Sequence, residues 1–441
     1  MRHILILLTV LWFVPSSPRT AEPDVATAQN WPQWRGPHGN GVAPIGDPPV
    51  EWGEDRNIRW KVGIPGTGYS SPIVWGDRVF VTTAIRTGHE VPGGPNIPAG
   101  MERGHQVASH IYQFLVLAIS RRDGSILWQR VAREEAPVGV NQLHNSWASH
   151  SPVTDGRYVY AYFGSNGLYC YDMEGTLQWE RDLGDMNTAR GNGEGNSPVL
   201  HGDRIIINWD HEGASFIVAL DKRTGDQLWM VPRDETTSWS SPFIVEHDGR
   251  HQIIVSATNR VCAYDPVTGA LIWECAGLKG FVIPTPVTAH GIVYAMSGHQ
   301  RNALLAIRLA GAQGDISGSD AILWQDDRNT SYVSSPLVYD DALYFLKHSK
   351  GFLSRLDAMT GRQSYIQRLP NIRDIFASPV AARDRIYLVD RDGNALVIRH
   401  GPEFEVLAQN KLDDGFEASP AVVDRELYLR GRTYLYCIAE D

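Results

Sequence analysis

Rings, imidazoles, amides and carboxylates gather in short segments just ahead of recurrent Ser-Pro or Thr-Pro pairs. They are Tyr69; His144, Asn145, Trp147 and His150; Asn192, Glu194 and Asn196; Trp239; Tyr332; Phe376; and Phe416. A second set falls in turns further on: Asn166, Asp210, His211, Glu212, His299, Arg301, His348, Lys350, Asp390 and Asp392. A few convergent polar groups among aromatics are the usual furniture of a binding site. Glu194 and Asn196 offer hard oxygens of the kind calcium takes, but a calcium site needs about six to eight of them. Asp210 and Asp392 are of the type that serves as a general base; a plain solvated charge is the simpler role. The histidines named here lack the H-x-x-x-H spacing of a metal site, and no G-x-S-x-G nucleophile motif occurs. Tyr69, His144, Trp147, His150, Glu194, Asn196, Trp239 and Tyr332 are therefore taken as a candidate ligand-binding face, with no catalytic or metal-binding residue assigned.

The elements that must position these residues are legible as a repeat. Ser71-Pro72, Ser151-Pro152, Ser197-Pro198, Ser241-Pro242, Thr285-Pro286, Ser335-Pro336, Ser378-Pro379 and Ser419-Pro420 follow one another at steps of 80, 46, 44, 44, 50, 43 and 41 residues. After each pair come a short apolar strand, a turn such as Gly76-Asp77 or Asp248-Gly249, and a second apolar strand. Gly and Asp in such turns supply the backbone angles a tight hairpin needs. The second half of each repeat reads as another hairpin. Ala219-Leu-Asp221 to Thr224-Gly225 and Trp229 matches Ala263-Tyr-Asp265 to Thr268-Gly269 and Trp273. Four short, β-branched strands per 40–45 residues have the period of a propeller blade and leave no room for helices. The chain is thus expected to be all-β, an eight-bladed β-propeller of four-stranded antiparallel blades.

The eighth repeat, Glu417 to Asp441, holds only three strands. Residues 57–63 supply the missing one, with Trp60 placed as Trp273 is in its own strand. Pairing it into the last blade removes the open edge of the ring. The propeller then spans 57–441, with an insertion near 86–110 in blade one carrying His89, His105 and His110 over the ligand face. In such a ring the lead-in aromatics either bind or plug the narrow end of the channel.

Arg2 and His3 precede the apolar run Ile4–Val14, and Ala26-Thr27-Ala28 offers small residues for cleavage. Residues 1–28 read as a signal peptide, with a cut after Ala21 and an uncleaved anchor as the alternatives. Residues 29–56 form a leader segment. Export to the periplasm or beyond is expected. A net charge of −10 without any basic run speaks against nucleic acid as a partner, and the body of the chain has no apolar stretch long enough to span a membrane. Cys170, Cys262, Cys275 and Cys437 are too few for a disulfide framework. Cys262 and Cys275 flank one hairpin and are either bridged or simply small buried side chains.

The Ala-x-Asp-x-x-Thr-Gly-x-x-x-Trp sentence resembles the pyrroloquinoline-quinone (PQQ) type propeller repeat, over nearly the whole chain after residue 57. The opening Trp31-Pro-Gln-Trp34-Arg-Gly-Pro37 is similar to the leader of a large group of exported bacterial proteins with these repeats. The resemblance implies one of two uses. Quinoprotein alcohol dehydrogenases build an enzyme around PQQ and calcium; the outer-membrane assembly lipoprotein builds a scaffold with no cofactor. This chain has no adjacent Cys-Cys pair and no C-x-x-C-H haem motif, both expected of the enzymes. The expectation is an exported, non-catalytic scaffold without cofactor, binding a protein or glycan partner in the cell envelope. The alternative is a PQQ- and calcium-dependent oxidoreductase acting on alcohols or sugars.

Overall fold

The computed structural model describes residues 25–95, 97, 101, 104–299, 301–347 and 350–440. All but the last four residues of the expected signal peptide lie outside them, as does His348. Val25–Ala28 form one helical turn.

Blade 3 shows the repeating unit. Its strands Val199–His201, Arg204–Trp209, Phe216–Asp221 and Gln227–Pro232 pair in sequence order, all antiparallel. Alternation along a strand sends successive side chains to opposite faces. Val218 and Leu220 pack against Tyr160, Tyr162 and Cys170 of blade 2. Ile217 and Ala219 pack against Ile253, Val255 and Cys262 of blade 4. The core is therefore a series of layers between blades. Eight such sheets are present among the described residues.

The eighth sheet is built from both ends of the chain. Strands Ala421–Val423, Glu426–Arg430 and Tyr434–Ile438 are completed by Ile58–Gly63, which pairs antiparallel with the last of them, Gly63 opposite Tyr434. The sequence expectation for fold and closure is met. Blade 4 has a fifth strand. Gly314–Asp315, from a loop of blade 5, pairs parallel to the outer strand Leu271–Ala276. In blade 1 the inserted segment extends the two middle strands to Arg78–Glu90 and His110–Ser120. Its His105–Val107 pairs with Val140–Gln142 as a small sheet, and His105 Nε2 meets the Arg190 carbonyl at 2.8 Å.

The tryptophans ending the second hairpins act as clasps between blades. The Trp179 indole N–H donates to the Lys222 carbonyl (3.2 Å), in the Asp-x-x-Thr-Gly turn of the next blade. Its ring lies flat where a Cβ on Gly225, at φ +73°, would intrude to 2.7 Å. Trp128, Trp229, Trp324 and Trp60 repeat the arrangement on Met173, Pro266, Ala358 and Arg121. Trp60 thereby clasps blade 8 to blade 1. Trp273 differs. Blade 5 lacks that turn, and the indole donates to Gln252 Oε1 of its own blade (2.9 Å).

The disulfide alternative is corrected by register. Cys262 stands opposite Glu274, and Cys275 opposite Val261. The two thiols thus point to opposite faces, Cys262 toward blade 3 and Cys275 toward blade 5. All four cysteines are free and buried.

The recurrent hydroxyl before each proline closes the ring a second time. The backbone N–H of Ser71 donates to Ser151 Oγ, Ser151 to Ser197, and Ser197 to Ser241. Ser241 donates to Thr285, Thr285 to Ser335, Ser335 to Ser378, and Ser378 to Ser419. Ser419 returns to Ser71 Oγ. All eight bonds measure 2.8–2.9 Å. Proline holds each preceding residue extended, so every hydroxyl meets its neighbour in the same pose.

The leader crosses the base of the ring. Trp31 exchanges backbone bonds with Val74 of blade 1, and the Pro32 carbonyl accepts from Thr154 of blade 2. Arg35 Nη2 donates to the Pro336 carbonyl of blade 6 (2.6 Å). Gly41 and Ala43 bond Ala381 of blade 7, and Asp47 bonds Asp424 of blade 8. Arg35 is fully buried, and that burial pushes its guanidinium down to about 9.

Candidate functional site

The loops leading into the innermost strands surround a cavity of about 720 Å³ on the face opposite the leader. Its floor is the hydroxyl belt: seven of the eight belt residues line it, all but Thr285, and Trp34 closes it from below. The Trp34 indole N–H lies 3.4 Å from Ser419 Oγ. Beneath it a shallower hollow opens toward Gln33, His38 and Gly39, so the leader separates two spaces.

The walls differ in chemistry. Blades 7, 8 and 1 supply an ionic wall. Arg391 Nε holds Glu417 Oε1 at 3.0 Å, its Nη1 holds Asp374, and its Nη2 reaches His144 Nδ1 at 2.9 Å. Arg432 Nη2 adds a bond to Glu417 Oε1 (2.7 Å). Tyr69 lies against this group, and burial first, then the Glu417 charge, push its phenol up. Blades 4 to 6 supply an aromatic wall. Trp239 meets Phe281 edge-on at 5.2 Å, Phe281 stacks on His299 at 4.9 Å, and His299 meets Tyr332 at 4.7 Å. These separations suit tilted and offset rings.

Of the eight residues chosen from sequence, Tyr69, His144, Glu194, Trp239 and Tyr332 line this cavity. Trp147, His150 and Asn196 do not. Trp147 packs edge-on against Tyr112. His150 is buried beneath the rim with Nδ1 on the Asn196 carbonyl, and the Asn196 amide donates to the Asn208 carbonyl. Glu194 accepts from the Ser165 hydroxyl and backbone N–H and stands 3.6 Å from His150 Nε2. Asp210 is not placed as a base. It is buried in a bidentate pair with Arg233, at 2.7 and 3.1 Å, and accepts from Ser238 and Asn208 besides. Arg391, which lies between the expected Asp390 and Asp392, lines the cavity together with Phe281, Asp374 and Glu417, none of which the sequence singled out. Glu417 directly follows Phe416, which was the available signal.

Glu194 and Asn196 do not come together as calcium ligands. They are turned to separate protein partners. Among the described residues no group of three or more His, Cys, Asp and Glu side chains is arranged to hold a metal ion.

The family described as outer membrane protein assembly factor BamB matches over residues 50–207, 113–367 and 213–441. The chain belongs to this family. Its fold is similar to that of BamB from Moraxella catarrhalis, at TM-score 0.52 and 17% identity over 81% of this chain and 97% of the other. It is also similar to a europium-containing methanol dehydrogenase, at TM-score 0.61 and 10% identity over 92% of this chain and 90% of the other. Quinohemoprotein alcohol dehydrogenase from Comamonas testosteroni matches at 0.61 and 11%, over 95% of this chain and 82% of the other. At such identities the likeness is one of fold. A curated relative, tetrathionate hydrolase from Acidianus ambivalens, is 25% identical over 129 residues, 26% of this chain. The match spans about a quarter of that relative's length (24%). No described helix is long and apolar enough to cross a membrane.

Proposed function

We propose that this chain is an exported, non-catalytic propeller scaffold that holds a protein or glycan partner of the cell envelope in the cavity over its hydroxyl belt. The observation that carries the reading is how the site's acids are employed. Asp374 and Glu417 are held by arginines, Glu194 by Ser165, and Asp210 by Arg233. A general base needs a lone pair within reach of substrate; these carboxylates spend theirs positioning the walls, apart from Glu417 Oε2, which is buried without a partner. What is left open is a shaped surface of rings, hydroxyls and cations, which is what binding requires. Membership in the assembly-factor family supports an envelope setting.

The quinoprotein alternative has the larger fold likeness in its favour and the placement of Glu194 and Asn196 against it. It is tested by incubating the purified protein with PQQ and calcium, then recording its absorption spectrum and Tm. The expected result is no retained chromophore and an unchanged Tm. A stoichiometric bound quinone with a raised Tm would replace the scaffold reading, because a ligand that binds only the native state must stabilise it.

A further inference from the structure

The chain has a net charge of −10, yet cations around this site stand without acidic partners, while the one lining acid with no arginine or lysine partner, Glu194, is held by Ser165. Lys350 and Arg373 line it. Arg190 overhangs it, with its guanidinium 5.4 Å from the centre of the Phe281 ring. Among the described residues none of the three has a carboxylate partner, whereas Asp374 and Glu417 are already neutralised by Arg391 and Arg432. Exposed cations without acidic partners, in a molecule that otherwise repels anions, favour a ligand bearing acidic groups.

The floor and walls narrow the class. Each belt hydroxyl already accepts a backbone N–H from the preceding blade. Its proton is the group left to donate, so the floor presents a set of O–H donors. Glu194, partly exposed on the wall, supplies an acceptor. Trp239 and Tyr332, at the ends of the aromatic wall, offer ring surface to C–H groups, the Phe281 ring between them being stacked on His299. Many small donors, an acceptor and flat apolar faces together match a sugar ring, with C–H on its faces and hydroxyls on its rim. An acidic peptide would engage the cations and its carbonyls could accept from the floor, but its acidic side chains bring no ring of C–H groups to the aromatic wall.

We infer that the cavity binds an acidic oligosaccharide, its sugar ring against Trp239 and Tyr332 and its carboxylate or sulfate groups at Lys350 and Arg373. This rests on the scaffold reading and names its ligand. The test is calorimetric titration of the purified chain with four probes: tetragalacturonate, a sulfated tetrasaccharide, maltotetraose and tetraglutamate. At least one acidic saccharide should bind about tenfold or more tightly than maltotetraose, and weaken as salt rises and screens the charges. The doubly substituted K350Q/R373Q protein should lose about tenfold for the acidic sugar while keeping its Tm, since both residues are exposed. Tyr332→Ala should weaken every sugar. Equal binding of maltotetraose overturns the acidic assignment and leaves the scaffold reading standing. Tetraglutamate binding as tightly as the best sugar overturns it in favour of a peptide. No binding by any probe to folded protein overturns the inference alone; the quinone experiment judges the scaffold separately.

Discussion

At the scale of single residues, the hydroxyl belt explains why the position before each proline is Ser or Thr. In Ser378→Ala the acceptor for the buried Ser335 N–H disappears. Leaving a buried donor unpaired costs about 1–3 kcal/mol. Ser378→Thr should cost far less, because Thr285 already fills the same role. Equilibrium urea unfolding of both variants checks this; equal losses would mean the hydroxyl is not the group that matters. The sequence displays all eight pairs but not their purpose, because each hydroxyl's partner lies one repeat away. The same limit governs the site. Residues two or three positions before the belt, such as Trp239 and Tyr332, are placed on the cavity by the repeat itself. Whether His150 faces the cavity or the core depends on contacts with Asn196 that no spacing encodes.

At the scale of strands and hairpins, the tryptophan clasps tie neighbouring blades together. Trp229→Ala removes a nearly buried indole and its bond to Pro266, and about 3–5 kcal/mol of stability should go with it. The loss is readable as a fall in the urea midpoint at unchanged slope. The turn carboxylates beneath the clasps predict an acid response. Asp357 accepts from the Thr360 hydroxyl and backbone N–H, which hold it below the usual carboxylate range; Asp123 is lowered the same way by Ser125. A carboxyl lowered in the folded state contributes stability above its unfolded value, near 4, and that contribution is lost as pH falls through the folded value. Tm should therefore decline below about pH 4, and less so in Asp357→Asn. The hairpins and clasp residues are plain in the sequence because each is local. The fifth strand of blade 4 is not: Gly314–Asp315 is two residues in a polar loop, with no pattern of its own.

At the scale of the whole ring, both closures join residues far apart in the chain. Removing 57–63 takes away the outer strand of blade 8 and Trp60 together. Tm should fall steeply, with the loss concentrated in blades 8 and 1 by hydrogen exchange; a truncated chain melting like the intact one would refute closure. Closure was legible because three strands in a blade leave an exposed edge. The role of the leader was not, because its residues from Trp31 to Asp47 bond mainly to backbone groups of five blades, which no residue pattern announces.

The belt bond from Ser419 to Ser71 spans 348 residues. During synthesis the early strand at 58–63 has no mate until the final hairpin emerges, and it stays an open edge throughout. Formation of contacts this distant is slow and exposes such edges to wrong partners. The last step in maturation of this molecule is thus its circularisation, and a chaperone that shields the first strand would be most needed just before it.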